Sequence, residues 1–136
     1  TERLDEYGEV LRGRVALGGM IRAVDYIQAQ RRRTELTREM EQVFGEYDLL
    51  LTTGLLVPQA ALAAKQVFPY FTFPMIDVPF NLTGHPAISV CAGYFDDGMP
   101  IGAQIAGRYF DEETVLRAAH AYEGASPWRD RRPDLG

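Results

Sequence analysis

The chain has 136 residues, of which 46% are hydrophobic and 24% charged, and its formal net charge is -5. That size and balance suit one ordinary globular domain with a modest core, and the acidic sign gives no reason to expect nucleic acid or an anionic membrane as partner. The one cysteine, Cys91, has no partner for an internal disulfide, so a reducing cytoplasm is the expected compartment; no apolar run is long enough to span a bilayer and no membrane is expected.

In chain order, residues 11–44 read as helix, broken once. Leu17, Met20, Ile21, Val24 and Ile27 fall at three-four spacing on one face, and the stripe resumes with Leu36, Met40, Val43 and Phe44. Gly18-Gly19 marks a break or a close backbone approach, and Gly45 is a reasonable stop. The run Arg31-Arg32-Arg33 is either a solvated face or an interaction patch. Residues 47–53, YDLLLTT, read as a short strand. Its three consecutive leucines suit burial on both faces, as in a parallel or mixed sheet. A helix followed at once by such a strand argues for an α/β architecture.

Residues 54–79 show no clean period and carry Pro58, Pro69, Pro74 and Pro79. The aromatics Phe68, Tyr70, Phe71 and Phe73 in this stretch either plug the side of a core or wall a ligand pocket. Residues 87–92, AISVCA, read as a buried strand, Asp96-Asp97-Gly98 as a turn, and residues 101–106, IGAQIA, as the antiparallel partner. Gly102 and Gly107 suggest bulges or close backbone approach. Asp111 caps a final helix through Glu123, with Glu112 and Glu113 where the helix dipole favours them and Val115, Ala119 and Tyr122 as its apolar stripe. Gly124 and Pro127 end it. The tail, WRDRRPDLG, is expected on the surface.

Chemistry is sparse. His85 and His120 lie far apart and there is no cysteine pair, so no metal site is expected. Ser89 alternates with Ile88 and Val90 and reads as a structural hydroxyl, and Cys91 as a small buried hydrophobe. What remains is the sequence Asn81-Leu82-Thr83-Gly84-His85-Pro86. Short polar groups, a glycine able to bend left-handed and a proline at strand entry shape a turn. The same turn, at the end of a sheet, can also wall a substrate cleft.

The segments YDLLLTTG, PFNLTGHPAISV and DDGMPIGAQIAGRYFDEETVLRAAHAYE, followed by PW, resemble in order and spacing the C-terminal part of the amidase signature hydrolases. The helix LGGMIRAVDYIQAQRRR fits the element before them. The resemblance covers nearly the whole chain. It implies an α/β/α sandwich with a mixed β-sheet, of which residues 1–136 are a C-terminal fragment and not a complete catalytic domain. It also implies hydrolysis of a carboxamide by a Ser–cis-Ser–Lys triad, with backbone N–H groups holding the oxyanion and no cofactor. Ser89, Ser126 and Lys65 are the only residues of those two types here, and there is no Gly/Ser-rich run, so the reacting groups are expected outside this chain. Family members often carry proline where Gly54 and Cys91 stand.

The resulting expectation is a fragment that is inactive alone. It has a small-molecule amide as the complete enzyme's substrate and either the missing N-terminal part of the fold or a second copy as partner. Asn81, Thr83, Gly84 and His85 are the candidate substrate-binding residues. An A-type subunit of a tRNA-dependent amidotransferase, the one version with a nucleic-acid partner, and a non-catalytic domain derived from the same fold are the alternatives.

Overall fold

A computed structural model describes residue 3 and residues 6–54 and 78–132. The aromatic-rich stretch up to residue 77, with Lys65, and the last four residues of the tail lie outside the described residues. The elements run α1 (Glu9–Gly18), α2 (Ala23–Glu46), β1 (Leu49–Thr53), α3 (Val78–Thr83), β2 (Ala87–Tyr94), β3 (Pro100–Gly107) and α4 (Glu112–Ala125).

The expected single break in the N-terminal helix falls at the glycine pair. Gly19 caps α1, and the Met20 and Ile21 amides bond back to Leu17 and Gly18 at 3.0 and 3.3 Å. Helix α2 then restarts with Asp25 in its first turn, where the carboxylate meets the positive end of the dipole and takes a 2.7 Å ion pair from Arg22. It runs 24 residues, on the order of 36 Å at 1.5 Å rise. Gly45 lies inside its last turn and does not end it; Tyr47, in extended conformation, does. Only the C-terminal part of its apolar stripe is covered. Phe44 is buried and Met40 packs beside it, whereas Met20, Ile21, Val24 and Ile27 are all exposed.

The three-stranded sheet has the order β1-β3-β2, and both pairings are antiparallel. β1 is therefore an edge strand without a parallel neighbour among the described strands. Its apolar run is only half used, since Leu50 packs in the core while Leu51 is 73% exposed. Alternation along β3 assigns the two faces. Ala106, with Leu50 opposite, meets Phe44 of α2 and Phe80 of α3. Ile105 and Gly107 point the other way, towards Val115 and Ala119 of α4. Helices thus cover both faces of the sheet, which is an α/β fold.

Two backbone approaches need glycine. The Gly54 amide donates to Gly102 O at 2.7 Å, and a Cβ at Gly54 would stand 2.8 Å from that oxygen. A proline at 54 would have no N–H to make this bond. A Cβ at Gly107 would stand 2.5 Å from Val115 Cγ2. The hairpin closes as expected, with Gly98 at φ 85° and a bulge between Cys91 and Gly93. Asp111 accepts the Thr114 amide at the start of α4, but the helix continues through Gly124 to Ala125. The tail is not simply a surface strand of polar residues. Trp128 Nε1 donates to Cys91 O at 2.7 Å, and the Arg131 guanidinium lies 3.7 Å over the Tyr94 ring.

Gly107→Ala should therefore force α4 off the sheet and cost about 1–3 kcal/mol. Gly45→Ala, with nothing within 4 Å of its new Cβ, should gain up to about 1 kcal/mol in helix propensity. Urea unfolding midpoints of the two variants, moving in opposite directions, check both.

Candidate functional site where α2, α3 and the sheet meet

Three of the four candidate positions lie on or beside a helix instead of in a simple turn. Residues 78–83 form α3, too short to declare itself by periodicity, and Gly84 at φ 86° turns the chain out of it into β2. The Gly84 amide closes that turn on Phe80 O at 2.8 Å.

His85 faces inward, with none of its side chain exposed. Its ring is stacked between Phe44, at 4.7 Å between centroids, and Tyr109, at 4.1 Å. Both nitrogens are engaged. Nε2 lies 2.8 Å from Glu41 Oε1, and Nδ1 lies 2.8 Å from Thr83 Oγ1. A carboxylate only accepts, so Nε2 carries a proton; in the neutral ring Nδ1 accepts from the Thr83 hydroxyl. Thr83 is buried too, and its carbonyl accepts from the Tyr109 hydroxyl. Around this cluster Arg33 Nε donates to Leu82 O at 2.6 Å, and Arg108 Nε donates to Phe44 O at 2.8 Å while pairing with Asp48 at 3.0 Å. The cluster can hold α3 and the entry to β2 rigidly. With its side chain wholly buried and both nitrogens hydrogen-bonded to protein groups, His85 presents neither nitrogen directly to solvent. Asn81, Leu82 and Gly84 form the opposite, exposed side of the same segment.

A second polar feature crosses the sheet on the Phe44–Phe80 face. Thr52, Gln104 and Ser89 stand opposite one another on β1, β3 and β2. Thr52 Oγ1 and Gln104 Oε1 are buried and have no hydrogen-bond partner among the described residues. Ser89, expected inside an apolar strand, is exposed at the sheet's edge. His120 is exposed on α4, remote in sequence from the His85 cluster, and no group of three His, Cys, Asp or Glu side chains gathers among the described residues. No helix among the described residues is long and apolar enough to cross a membrane.

Sequence reasoning did not single out Glu41, Tyr109 or Gln104. Glu41 and Tyr109 reach His85 over long sequence separations that no local pattern signals. Gln104 did carry a signal: it is the lone amide in the otherwise apolar strand IGAQIA.

The amidase family model matches residues 4–116, and the chain belongs to that family. AmiD of Mycobacterium tuberculosis, a relative named as an amidase, is 36% identical over 138 residues, covering 98% of this chain and 29% of its own length. The crystal structure of the A-type subunit of glutamyl-tRNA(Gln) amidotransferase from Thermotoga maritima superposes with a TM-score of 0.61 at 30% identity, over 90% of this chain and 28% of that one. A bacterial aryl acylamidase of the amidase signature family gives a TM-score of 0.65 at 25% identity, over 94% of this chain and 29% of that one. The chain thus spans less than a third of the length of these relatives, and it shares the amidase signature fold with them.

Thr83→Val should remove the hydroxyl that meets His85 Nδ1 and strand a buried polar atom, costing about 1–3 kcal/mol, while Thr83→Ser should keep most of the stability. Thermal melts of the two variants distinguish a lost hydrogen bond from lost packing.

Proposed function

We propose that this chain is the C-terminal portion of a cytoplasmic amidase that cleaves the C–N bond of a carboxamide, and that its reacting residues lie outside the chain. The observation that carries this is the pairing of family membership with partial coverage: 98% of the chain aligns with AmiD, but over only 29% of that relative. In this reading a serine alkoxide attacks the amide carbonyl. A lysine, acting through a second serine, delivers the proton to the departing amine, and water releases the acid. This chain contributes strands, flanking helices and one wall of the cleft.

Residues 81–85 are the proposed wall. Asn81 and Gly84 present the exposed surface to a substrate. Thr83 and His85 position that surface from behind, through the stack with Phe44 and Tyr109 and the bond to Glu41. In this reading the four residues have two roles.

A second reading has support of the same rank. Relatives named as the A-type subunit of glutamyl-tRNA(Gln) amidotransferase, such as that of Oceanobacillus iheyensis at 34% identity over 141 residues, cover 98% of this chain. In that role the chain's parent would use the same hydrolase fold together with protein and tRNA partners.

The 136-residue chain alone should release no para-nitroaniline from an acyl anilide, and the same chain joined to the remainder of an amidase-length polypeptide should. In that longer protein, Asn81→Ala should raise KM several-fold with an unchanged melting temperature, while His85→Ala should lower the melting temperature first. Turnover by the short chain that disappears in Ser89→Ala would overturn the proposal.

A further inference from the structure

A groove of about 460 Å³ runs between the outer edge of β2 and α4, away from the His85 cluster. Ile88, Val90 and Leu116 give it an apolar floor, and Trp128 stands in its wall. Its rim is basic although the chain as a whole carries -5: three arginines, Arg129, Arg131 and Arg132, line it against a single carboxylate, Glu123. The Arg131 guanidinium is stacked on Tyr94. Arg132 Nη1 braces the tail by donating to the Arg129 and Arg131 carbonyls at 2.8 and 3.1 Å. The Arg129 guanidinium has no ion-pair partner among the described residues.

The strand edge adds a directed donor. Cys91 O turns away from β3 and accepts from both Trp128 Nε1 at 2.7 Å and the Tyr122 hydroxyl at 3.0 Å. Its register partner Gly102 likewise turns its carbonyl away, to Gly54. Gly107 N bonds to Pro86 O at 3.0 Å, so the inward positions on β2 are the even ones. By the alternation of an antiparallel ladder, Ser89 turns its N–H and C=O outward as Cys91 does, and Ser89 lines the groove. Trp128 and Tyr122 close the edge at Cys91, so a further strand cannot run along β2 past that point.

We propose that this groove binds a small amphipathic carboxylate, an aryl- or alkyl-chain acid. The apolar body lies on Ile88, Val90 and Leu116 beside the Trp128 indole. The carboxylate lies at the Arg129–Arg132 rim, within reach of the outward Ser89 amide. A compact volume, an aromatic wall, a rim of three arginines and a short, capped strand edge suit a small acid better than an extended peptide.

The chain has one tryptophan, so Trp128 emission reports the groove directly. Titration with 4-phenylbutyrate should give a saturable change. The neutral isostere 4-phenylbutanol should bind about tenfold more weakly, as should 4-phenylbutyrate to the Arg129→Gln/Arg132→Gln variant. Leu116→Glu, at a half-exposed position where the fold tolerates it, should abolish the response while circular dichroism stays unchanged. No saturable response, equal binding of acid and alcohol, or an unchanged response in the double-arginine variant would each overturn the proposal. So would an acidic peptide that binds and is not displaced by 4-phenylbutyrate. The experiment reads binding without amide turnover, so its failure and the failure of the proposed function are separate results.

Discussion

The fold turns on one buried imidazole. His85 sits with no exposed side-chain surface between two aromatic rings and spends both nitrogens on neighbours from two different elements. A polar ring taken out of water costs several kcal/mol unless its hydrogen bonds are replaced, so the site is stable only with Glu41 and Thr83 in place. That requirement fixes three things together. It seats the C-terminal end of α2 over the sheet, it docks α3 against α2, and it starts β2 in the register that pairs Ala87 with Ala106. The buried trio of Phe44, Phe80 and Ala106 is small, and the polar cluster beside it supplies the geometry that so few apolar side chains cannot specify.

Away from this junction the chain leaves apolar surface open. The face of α2 that carries Val24 and Ile27 meets solvent, as does Leu51 on the edge strand. Contiguous exposed apolar faces of this kind are typical of surfaces that meet another part of a protein. Under the proposed function, these faces meet the remainder of a longer amidase; the relative AmiD is more than three times as long as this chain. Thr52 Oγ1 and Gln104 Oε1, opposite one another across β1 and β3, have no hydrogen-bond partner among the described residues.

Much of the architecture was legible in the sequence because the signals were local. The helix breaks at the glycine pair 18–19, the first of the two outcomes that pair allowed. Asp96-Asp97-Gly98 made the hairpin, and Asp111 capped α4. The resemblance to amidase signature enzymes rested on runs of residues long enough to be specific, and the family match agrees with it. What the sequence hid was long-range. The three leucines of β1 read as buried on both sides; among the described strands β1 pairs antiparallel with β3 alone, and Leu51 is exposed. α3 has too few residues to show a helical period. Thr83 and His85 looked like turn residues open to a ligand because nothing local announces that Glu41, 44 residues earlier, and Tyr109 would close over them. Trp128 looked like part of a polar tail, and only the folded chain brings its indole to the Cys91 carbonyl.

The claim that the His85 cluster is what joins α2 and α3 to the sheet is tested most directly by native-state hydrogen exchange on His85→Leu. This substitution keeps an apolar body between Phe44 and Tyr109 and deletes both hydrogen bonds. The account predicts that the Gly84 amide and the last turns of α2 lose protection together, while the β2–β3 hairpin amides keep theirs. Uniform loss across the chain, or no change at Gly84, would contradict it.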